Sequence, residues 1–205
     1  MNKEYILSIP NKIAAFAFIL MVLASFCFIG YRIATKSAYT AKELKQTQIL
    51  SLSVVELLSD KIKNEPDMWD KFKSDEFVLA TDYKKIEGNW VIAVKIKKFP
   101  GFVEAESTVN SGWNSREPQK TVITGRIFSD GNVVYTDKEK TDLLKTDLQK
   151  ITVKKTDKIL IFGFPDEIKQ CPVKIEAVVT KFKDSSGNAL LALKPAESTD
   201  KAKTR

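Results

Sequence analysis

The stretch that decides the fold is IAAFAFILMVLASFCFIGY, residues 13–31, in which no side chain carries a charge. A helix rises about 1.5 Å per residue, so this run is long enough to cross a hydrocarbon layer roughly 30 Å thick. Uncharged runs of this length are rare in soluble domains. We therefore predict a transmembrane helix over residues 13–33, preceded by a short tail of residues 1–12.

A cleavable signal peptide and a buried core helix are the competing interpretations of this run. Signal-peptide cleavage needs small residues at positions −3 and −1, but a cut after Ala38 would place Lys36 at −3. A lipoprotein cut before Cys27 would need a small residue in place of Phe26. The sequence therefore favours an uncleaved signal anchor, and a core helix remains the alternative.

The charges that flank the run bear on which side of the membrane the rest of the chain occupies. Counting lysine and arginine slightly favours a cytoplasmic C-terminal domain. However, a short tail, one span and a large β-rich domain is the usual plan of exported domains in bacterial envelope proteins. We predict a single-pass protein of the inner membrane with its soluble domain on the extracytoplasmic side. The basic residues counted are Lys3 and Lys12 before the run, and Arg32, Lys36, Lys42 and Lys45 after it.

The helix is expected to continue beyond the membrane, because Gly30 is the only glycine and no proline occurs between Pro10 and Pro66. Residues 34–64 are predicted to form a helical stalk that becomes an amphipathic helix. Within them, residues 37–48 are polar nearly all round, which indicates a solvated stalk or a hinge. The apolar stripe that follows has helical spacing and consists of Leu50, Val54, Leu57, Leu58 and Ile62.

From residue 65 to residue 195 the pattern predicts a β-rich soluble domain. Apolar residues alternate with others from residue 90 to residue 97, as in a strand with one buried face. The chain then turns at Phe99-Pro100-Gly101-Phe102, which places Lys97 opposite Glu104 and Lys95 opposite Glu106. Because proline turns match hairpin twist poorly, we expect a bulge or a wider loop there.

Two further hairpins are predicted around residues 129–131 and 184–188. Asp130-Gly131 suits a type I′ connection, with Phe128 facing Val133 across it. The run ILIFGF, residues 159–164, is apolar on both faces and predicts a strand inside a sheet. With strands at residues 77–79 and 151–153, the total is eight or nine. The predicted class is α+β, with an antiparallel sandwich or barrel-like domain, and residues 137–150 are either a short helix or an ordered loop.

Residues suited to catalysis are scarce. The chain has no histidine, which removes the commonest general base and most zinc or haem sites. Cys27 lies in the span and Cys171 in the soluble part, so they provide neither a disulfide nor a metal cluster. The glycines form no phosphate-binding loop, and the acidic residues near residues 67–76 are explained better by a solvated helix face. We predict a non-enzyme with no catalytic, cofactor-binding or metal-binding residues.

The charge of the soluble part is mildly positive. The chain has 33 basic and 26 acidic side chains. Removing Lys3, Lys12, Arg32, Lys36 and Glu4 leaves 29 basic and 25 acidic residues from residue 40 onward, a net charge of +4. These charges are interspersed, which is typical of a solubilising surface. A nucleic-acid partner is therefore not expected.

Two features indicate binding to other proteins. A polar loop at residues 110–116 holds Trp113 and Arg116, two residue types enriched at interfaces. The alternative is that Trp113 folds back onto the core. Within the span, small residues at helical spacing offer a smooth face to another helix, although lipid-facing alanines are common. These residues are Ala14, Ala17 and Ala24.

Two functions are compatible with these features. The first is a membrane-anchored scaffold or accessory subunit of a multiprotein membrane assembly. In layout alone the chain is similar to single-pass subunits of bacterial envelope secretion or conjugation machines, but it carries no motif of those families. The second is a membrane-tethered carrier of lipid or a small ligand with a hollow β domain. The C-terminal residues 196–205 lack apolar anchors and are predicted to be disordered. The sequence does not indicate an oligomeric state.

Overall fold

The computed structural model describes residues 3–72, 77–80, 90–111, 118–149, 151, 158–162 and 175–196. The chain divides into two units, Met1–Ala41 and Lys42–Arg205. Three helices and eight strands are present in the described residues: α1 Lys3–Asn64, α2 Asp67–Lys71, β1 Phe77–Ala80, β2 Val91–Phe99, β3 Phe102–Asn110, β4 Lys120–Ile127, β5 Val133–Tyr135, α3 Lys138–Gln149, β6 Lys158–Phe162, β7 Ile175–Lys183 and β8 Ala189–Pro195.

The first unit is the N-terminal part of α1, and it is long and apolar. An 18-residue window has a mean hydropathy of 2.1, and none of it is buried within the protein. The hydroxyl groups of Ser25, Thr35 and Thr40 bond to the helix's own backbone, as Ser25 does to the carbonyl of Met21 at 2.8 Å. These properties are consistent with a single membrane span or a signal anchor.

The second unit contains two antiparallel sheets. One has five strands in the order β1-β2-β3-β4-β5, and the other has three in the order β6-β7-β8. The predicted α+β class is confirmed. The sandwich or barrel-like arrangement is not confirmed, because the described strands form no closed barrel and α1 contributes much of the core.

The C-terminal half of α1 is buried on more sides than its sequence pattern indicates. Ile49 and Leu52 lie off the predicted apolar stripe, yet both are fully buried. Burial also begins earlier than expected, since Glu43, Gln46 and Thr47 are buried where a solvated segment was predicted. The structure differs from the prediction because elements distant in sequence pack against α1 from more than one direction.

Small hydroxyl side chains hold α1 against the five-stranded sheet. Thr47, Ser51 and Ser59 are separated by four and eight residues, so they lie on one face of the helix. The Thr47 hydroxyl pairs with that of Thr121 at 2.6 Å, and the Ser51 hydroxyl donates to the carbonyl of Ser107 at 2.7 Å. About two turns further on, the Ser59 hydroxyl donates to the backbone carbonyl of Gly131 in the β4–β5 turn. Each of these bonds takes the place of a hydrogen bond to water that the hydroxyl loses when it is buried.

The same face brings α1 so close to β4 that Gly125 has no room for a side chain. A Cβ atom there would lie 2.7 Å from Cγ1 of Val55 and 3.0 Å from Cγ1 of Val133. We expect Gly125→Ala to lower the free energy of unfolding by about 1–3 kcal/mol, the usual cost of overpacking. Urea unfolding followed by tryptophan fluorescence measures it. In a Val55→Ala background the loss should shrink, and an equal loss in both backgrounds would contradict the close approach.

On another face, α1 is tied to the β7–β8 hairpin. The Gln46 carboxamide donates to the carbonyl of Leu191 at 2.8 Å and accepts from its N–H at 2.7 Å. The Lys45 ammonium lies 2.9 Å from Asp184 and 3.1 Å from Asp147. Burial raises the pKa of Asp184, but hydrogen bonds from Lys45 and Asn188 outweigh burial and lower it to about 2. Helix and hairpin are therefore held by both amide pairing and charge.

The β2–β3 hairpin has the predicted register. Lys97 pairs with Glu104, and Lys95 pairs with Glu106. The expected bulge or wider loop is wrong, because Phe99 pairs directly with Phe102 across only two residues. Gly101 has a φ of +88°, which supplies the left-handed position that a type II turn needs after proline.

The β4–β5 and β7–β8 hairpins have the same kind of turn, and it differs from the type I′ turn predicted for β4–β5. Ile127, not Phe128, pairs with Val133. The N–H of Phe128 bonds to the carbonyl of Asn132, and the N–H of Gly131 bonds back to the carbonyl of Phe128. The β7–β8 turn repeats this pattern, with hydrogen bonds from Asp184 N–H to Asn188 and from Gly187 N–H to Asp184. Both are three-residue loops that end in a left-handed glycine, so the type I′ prediction is wrong.

Three other predictions fall on the second half of the domain. The apolar run at residues 159–164 was assigned to a sheet interior, but among the described residues β6 pairs with β7 alone and lies at an edge. For residues 137–150 the sequence left a short helix and an ordered loop open, and the structure has helix α3 at Lys138–Gln149. Ile151 is not in a strand, and its N–H bonds to the carbonyl of Leu148 at 3.3 Å. Residues 152–153 and 163–164 lie outside the described residues.

Candidate functional site

The partner-binding residues predicted from the sequence are only partly within the described residues. Trp113 and Arg116 lie outside them, so their role in binding stays a prediction. Ala14, Ala17 and Ala24 are exposed on α1 within the apolar run of the first unit. That exposure is what either lipid or another helix would require.

An aromatic patch lies on the outward face of the five-stranded sheet. It consists of Phe99, Phe102 and Phe128. The ring centroids of Phe99 and Phe102 are 5.0 Å apart, and those of Phe102 and Phe128 are 6.4 Å apart. Their strand neighbours Val103 and Ile127 are fully buried, so alternation turns the three rings outward. Phe128 keeps 37% of its surface exposed.

Two cations lie over the rings of this aromatic patch. The Arg126 guanidinium carbon is 5.2 Å from the centre of the Phe102 ring, and the Lys97 ammonium is 5.5 Å from that of Phe99. Arg126 is also 3.5 Å from the Glu104 carboxylate. Aromatic rings and arginine are enriched in the cores of protein interfaces. The aromatic patch therefore has the composition of a protein-binding surface.

Strand alternation in the sequence indicates two of the three residues of this aromatic patch. Phe99 lies two residues after Lys97, so it belongs to the solvent face of β2. The same parity places Phe102 on the side of Glu104. A pair of phenylalanines on a polar face can be found from alternation alone. The position of Phe128 beside Phe102 cannot be found in this way, because it depends on the pairing of β4 with β3.

A groove of about 160 Å³ lies between α1, α3 and β8. On its α1 side, the Glu56 carboxylate accepts the Tyr135 hydroxyl at 2.5 Å and lies 3.0 Å from the Lys145 ammonium. That ammonium also lies 4.6 Å from the centre of the Tyr135 ring. Burial raises the pKa of Tyr135 above its ordinary value, and the Glu56 charge raises it further. The tyrosine therefore remains a hydrogen-bond donor across the physiological pH range.

Asp60, one turn after Glu56, also lines the groove. No hydrogen bond to its carboxylate is found within the described part of the chain. Burial raises the pKa of Asp60, and so does Glu56, whereas Lys63 and Lys194 lower it. Within the described residues there is no group of three or more side chains that could hold a metal ion. The groove thus offers hydrogen-bond donors and acceptors.

Comparison with protein-family models, with curated proteins and with solved structures gives no match for this chain.

Proposed function

We propose that the protein is a single-pass, membrane-anchored scaffold or accessory subunit of a multiprotein membrane assembly, of the kind found in bacterial envelopes. It has no catalytic role in this proposal. The apolar N-terminal part of α1 anchors the chain, and the β-rich domain docks neighbouring proteins. We place that domain on the extracytoplasmic side, following the usual plan of signal-anchored envelope proteins.

The observation that carries the proposal is the aromatic patch. Phe128 is 37% exposed, and Phe99 and Phe102 beside it are half-buried, so the aromatic patch leaves apolar area in water that a partner could bury. The surrounding cations Lys97 and Arg126 would favour a partner with carboxylates beside its own apolar groups.

The alternative, a membrane-tethered carrier of lipid or a small ligand, has less support. A carrier needs an unfilled interior, whereas side chains of α1 such as Leu50 and Leu58 are fully buried within the core. The groove beside α3, at about 160 Å³, is smaller than the roughly 300–1,000 Å³ typical of small-molecule pockets. In the described part of the domain, a core that includes side chains of α1 favours docking over transport.

The test compares polypeptides that co-purify with the full-length protein from detergent-solubilised membranes. We expect Phe128→Ser to weaken their recovery, because truncating a hot-spot aromatic costs about 2 kcal/mol or more, roughly a thirtyfold loss of affinity. The matched control is Val122→Ser on the same solvent face; Val122 is 45% exposed and lies outside the aromatic patch.

If the Phe128→Ser variant retains the same polypeptides, the aromatic patch is not the docking surface. Purification with bound lipid and no polypeptide would replace the scaffold with the carrier. Equal loss in Phe128→Ser and Val122→Ser would indicate a general effect on the sheet rather than a local docking surface.

A further inference from the structure

A one-sided group of aromatic and basic side chains lies on α1 where the apolar run ends. Arg32 is the first charged residue after the run, and Lys36 follows about one helical turn later. At 3.6 residues per turn, Phe28, Arg32 and Lys36 lie within an arc of about 80° on one side of the helix. All three side chains are exposed within the protein. We call these three residues the basic face.

The Arg32 guanidinium lies back over the ring of Phe28. Its central carbon is 5.2 Å from the ring centre, within the range of a cation–π interaction. Because Phe28 belongs to the uncharged run, this contact holds the guanidinium at the edge of the run. The planar guanidinium presents its N–H donors as a fork, which can bind two oxygens of one phosphate.

The charge and the depth of the basic face match a phospholipid headgroup. No acidic side chain occurs between Glu4 and Glu43, so this stretch of the sequence is positively charged. The headgroup layer extends about 5–8 Å beyond the hydrocarbon on each side of a bilayer. At about 1.5 Å per residue, Arg32 and Lys36 lie roughly 2 and 8 Å beyond Tyr31, the last residue of the run. Both cations are therefore at the level of the phosphates when the run spans a bilayer.

We infer that the basic face binds the phosphate of an anionic phospholipid, with Arg32 holding the phosphate oxygens and Lys36 adding a second positive charge. The inference rests on the proposed membrane anchoring of α1, but not on the aromatic patch or on a protein partner. At the same depth, another side of the helix carries Ile33 and Ser37. The headgroup is therefore expected on one side of the helix only.

Native mass spectrometry of the full-length protein in detergent micelles tests this inference with two lipids. Dioleoyl phosphatidylglycerol is anionic, and dioleoyl phosphatidylcholine has the same acyl chains without net charge. We expect the wild type to bind the anionic lipid at least tenfold more tightly, because two basic residues together contribute about that much near an anionic membrane surface. Arg32→Gln with Lys36→Gln should reduce the preference to less than about threefold.

Three results of this measurement would overturn the inference. The first is equal binding of the two lipids by the wild type, and the second is an unchanged preference in the double variant. The third is displacement of the bound lipid by about 1 mM glycerol phosphate, which would make the ligand a soluble phosphate rather than a lipid.

A charge-relocation variant separates a one-sided site from general attraction. It adds Ile33→Arg and Ser37→Lys to the double variant, so that the net charge and the depth of the charges match the wild type while the basic face has lost both cations. We expect it to bind the anionic lipid as weakly as the double variant does. Recovery of the wild-type preference would show that the position around the helix does not matter, and would overturn the one-sided site.

Carbonate extraction of the same proteins reports membrane insertion separately. Release of the wild type from carbonate-washed membranes would refute the anchor and this inference with it. Wild-type protein that is retained in the membrane but shows no lipid preference would refute the lipid site alone.

Discussion

Leu52→Ala is expected to lower the free energy of unfolding by about 2–5 kcal/mol, the range for deleting a fully buried leucine side chain. Leu52 is off the apolar stripe predicted from sequence, yet it is fully buried. A one-sided amphipathic helix would lose little from this change. If α1 is packed from several sides, Leu52→Ala lowers the free energy of unfolding as much as Leu58→Ala, which truncates a residue of the apolar stripe.

Urea unfolding of the detergent-solubilised protein, followed by tryptophan fluorescence, measures both losses. Leu143→Ala is the matched control, because Leu143 is 77% exposed and should change stability little. Since domains of this size are stable by only about 5–15 kcal/mol, Leu52→Ala should shift the unfolding midpoint plainly. A loss near that of Leu143→Ala would mean that α1 packs on one side only.

The sequence predicted those parts of the fold that local periodicity controls. Alternation and cross-strand charges set the register of β2 against β3, where Lys97 pairs with Glu104. The continuation of the helix past the apolar run followed from the absence of proline. Both depend on residues close together in the chain, so a single sequence is sufficient.

The burial of α1 was predicted less well, because it depends on distant partners. Ser51 and Ser59 read as polar positions, but each donates to a backbone carbonyl of a strand or turn more than 50 residues away. Gln46 is likewise expected to be solvated, but its carboxamide bonds to the backbone of Leu191, 145 residues further along the chain. Small and amide side chains give no hydrophobic signal, so a periodicity argument assigns them to solvent.

The two candidate surfaces differ in the same way. The Phe99–Phe102 pair follows from a turn and from strand parity, and so it could be derived from sequence. The groove requires α1, α3 and β8 to meet, three elements that are distant from one another in sequence. Local periodicity does not indicate such a meeting.

The largest effect is expected in the apolar part of α1. Replacing both Leu20 and Leu23 by lysine should prevent stable membrane insertion, because each lysine near the centre of a span costs about 2.5–3.5 kcal/mol, or about 5–7 kcal/mol together. Both leucines are more than half exposed, so the changes remove little packing within the protein. Extraction of membranes with alkaline carbonate measures the outcome.

Thr35→Lys with Ala38→Lys is the matched control, since it adds the same two charges to the same helix after the uncharged run has ended. Those lysines can reach water, so the control should remain in the carbonate-washed membrane fraction while the Leu20 and Leu23 variant is released or degraded. Full retention of the Leu20 and Leu23 variant would show that residues 13–31 do not span the bilayer. The apolar run would then require a protein partner rather than lipid to cover it, because side chains such as Phe18 and Phe26 are more than half exposed within this chain alone.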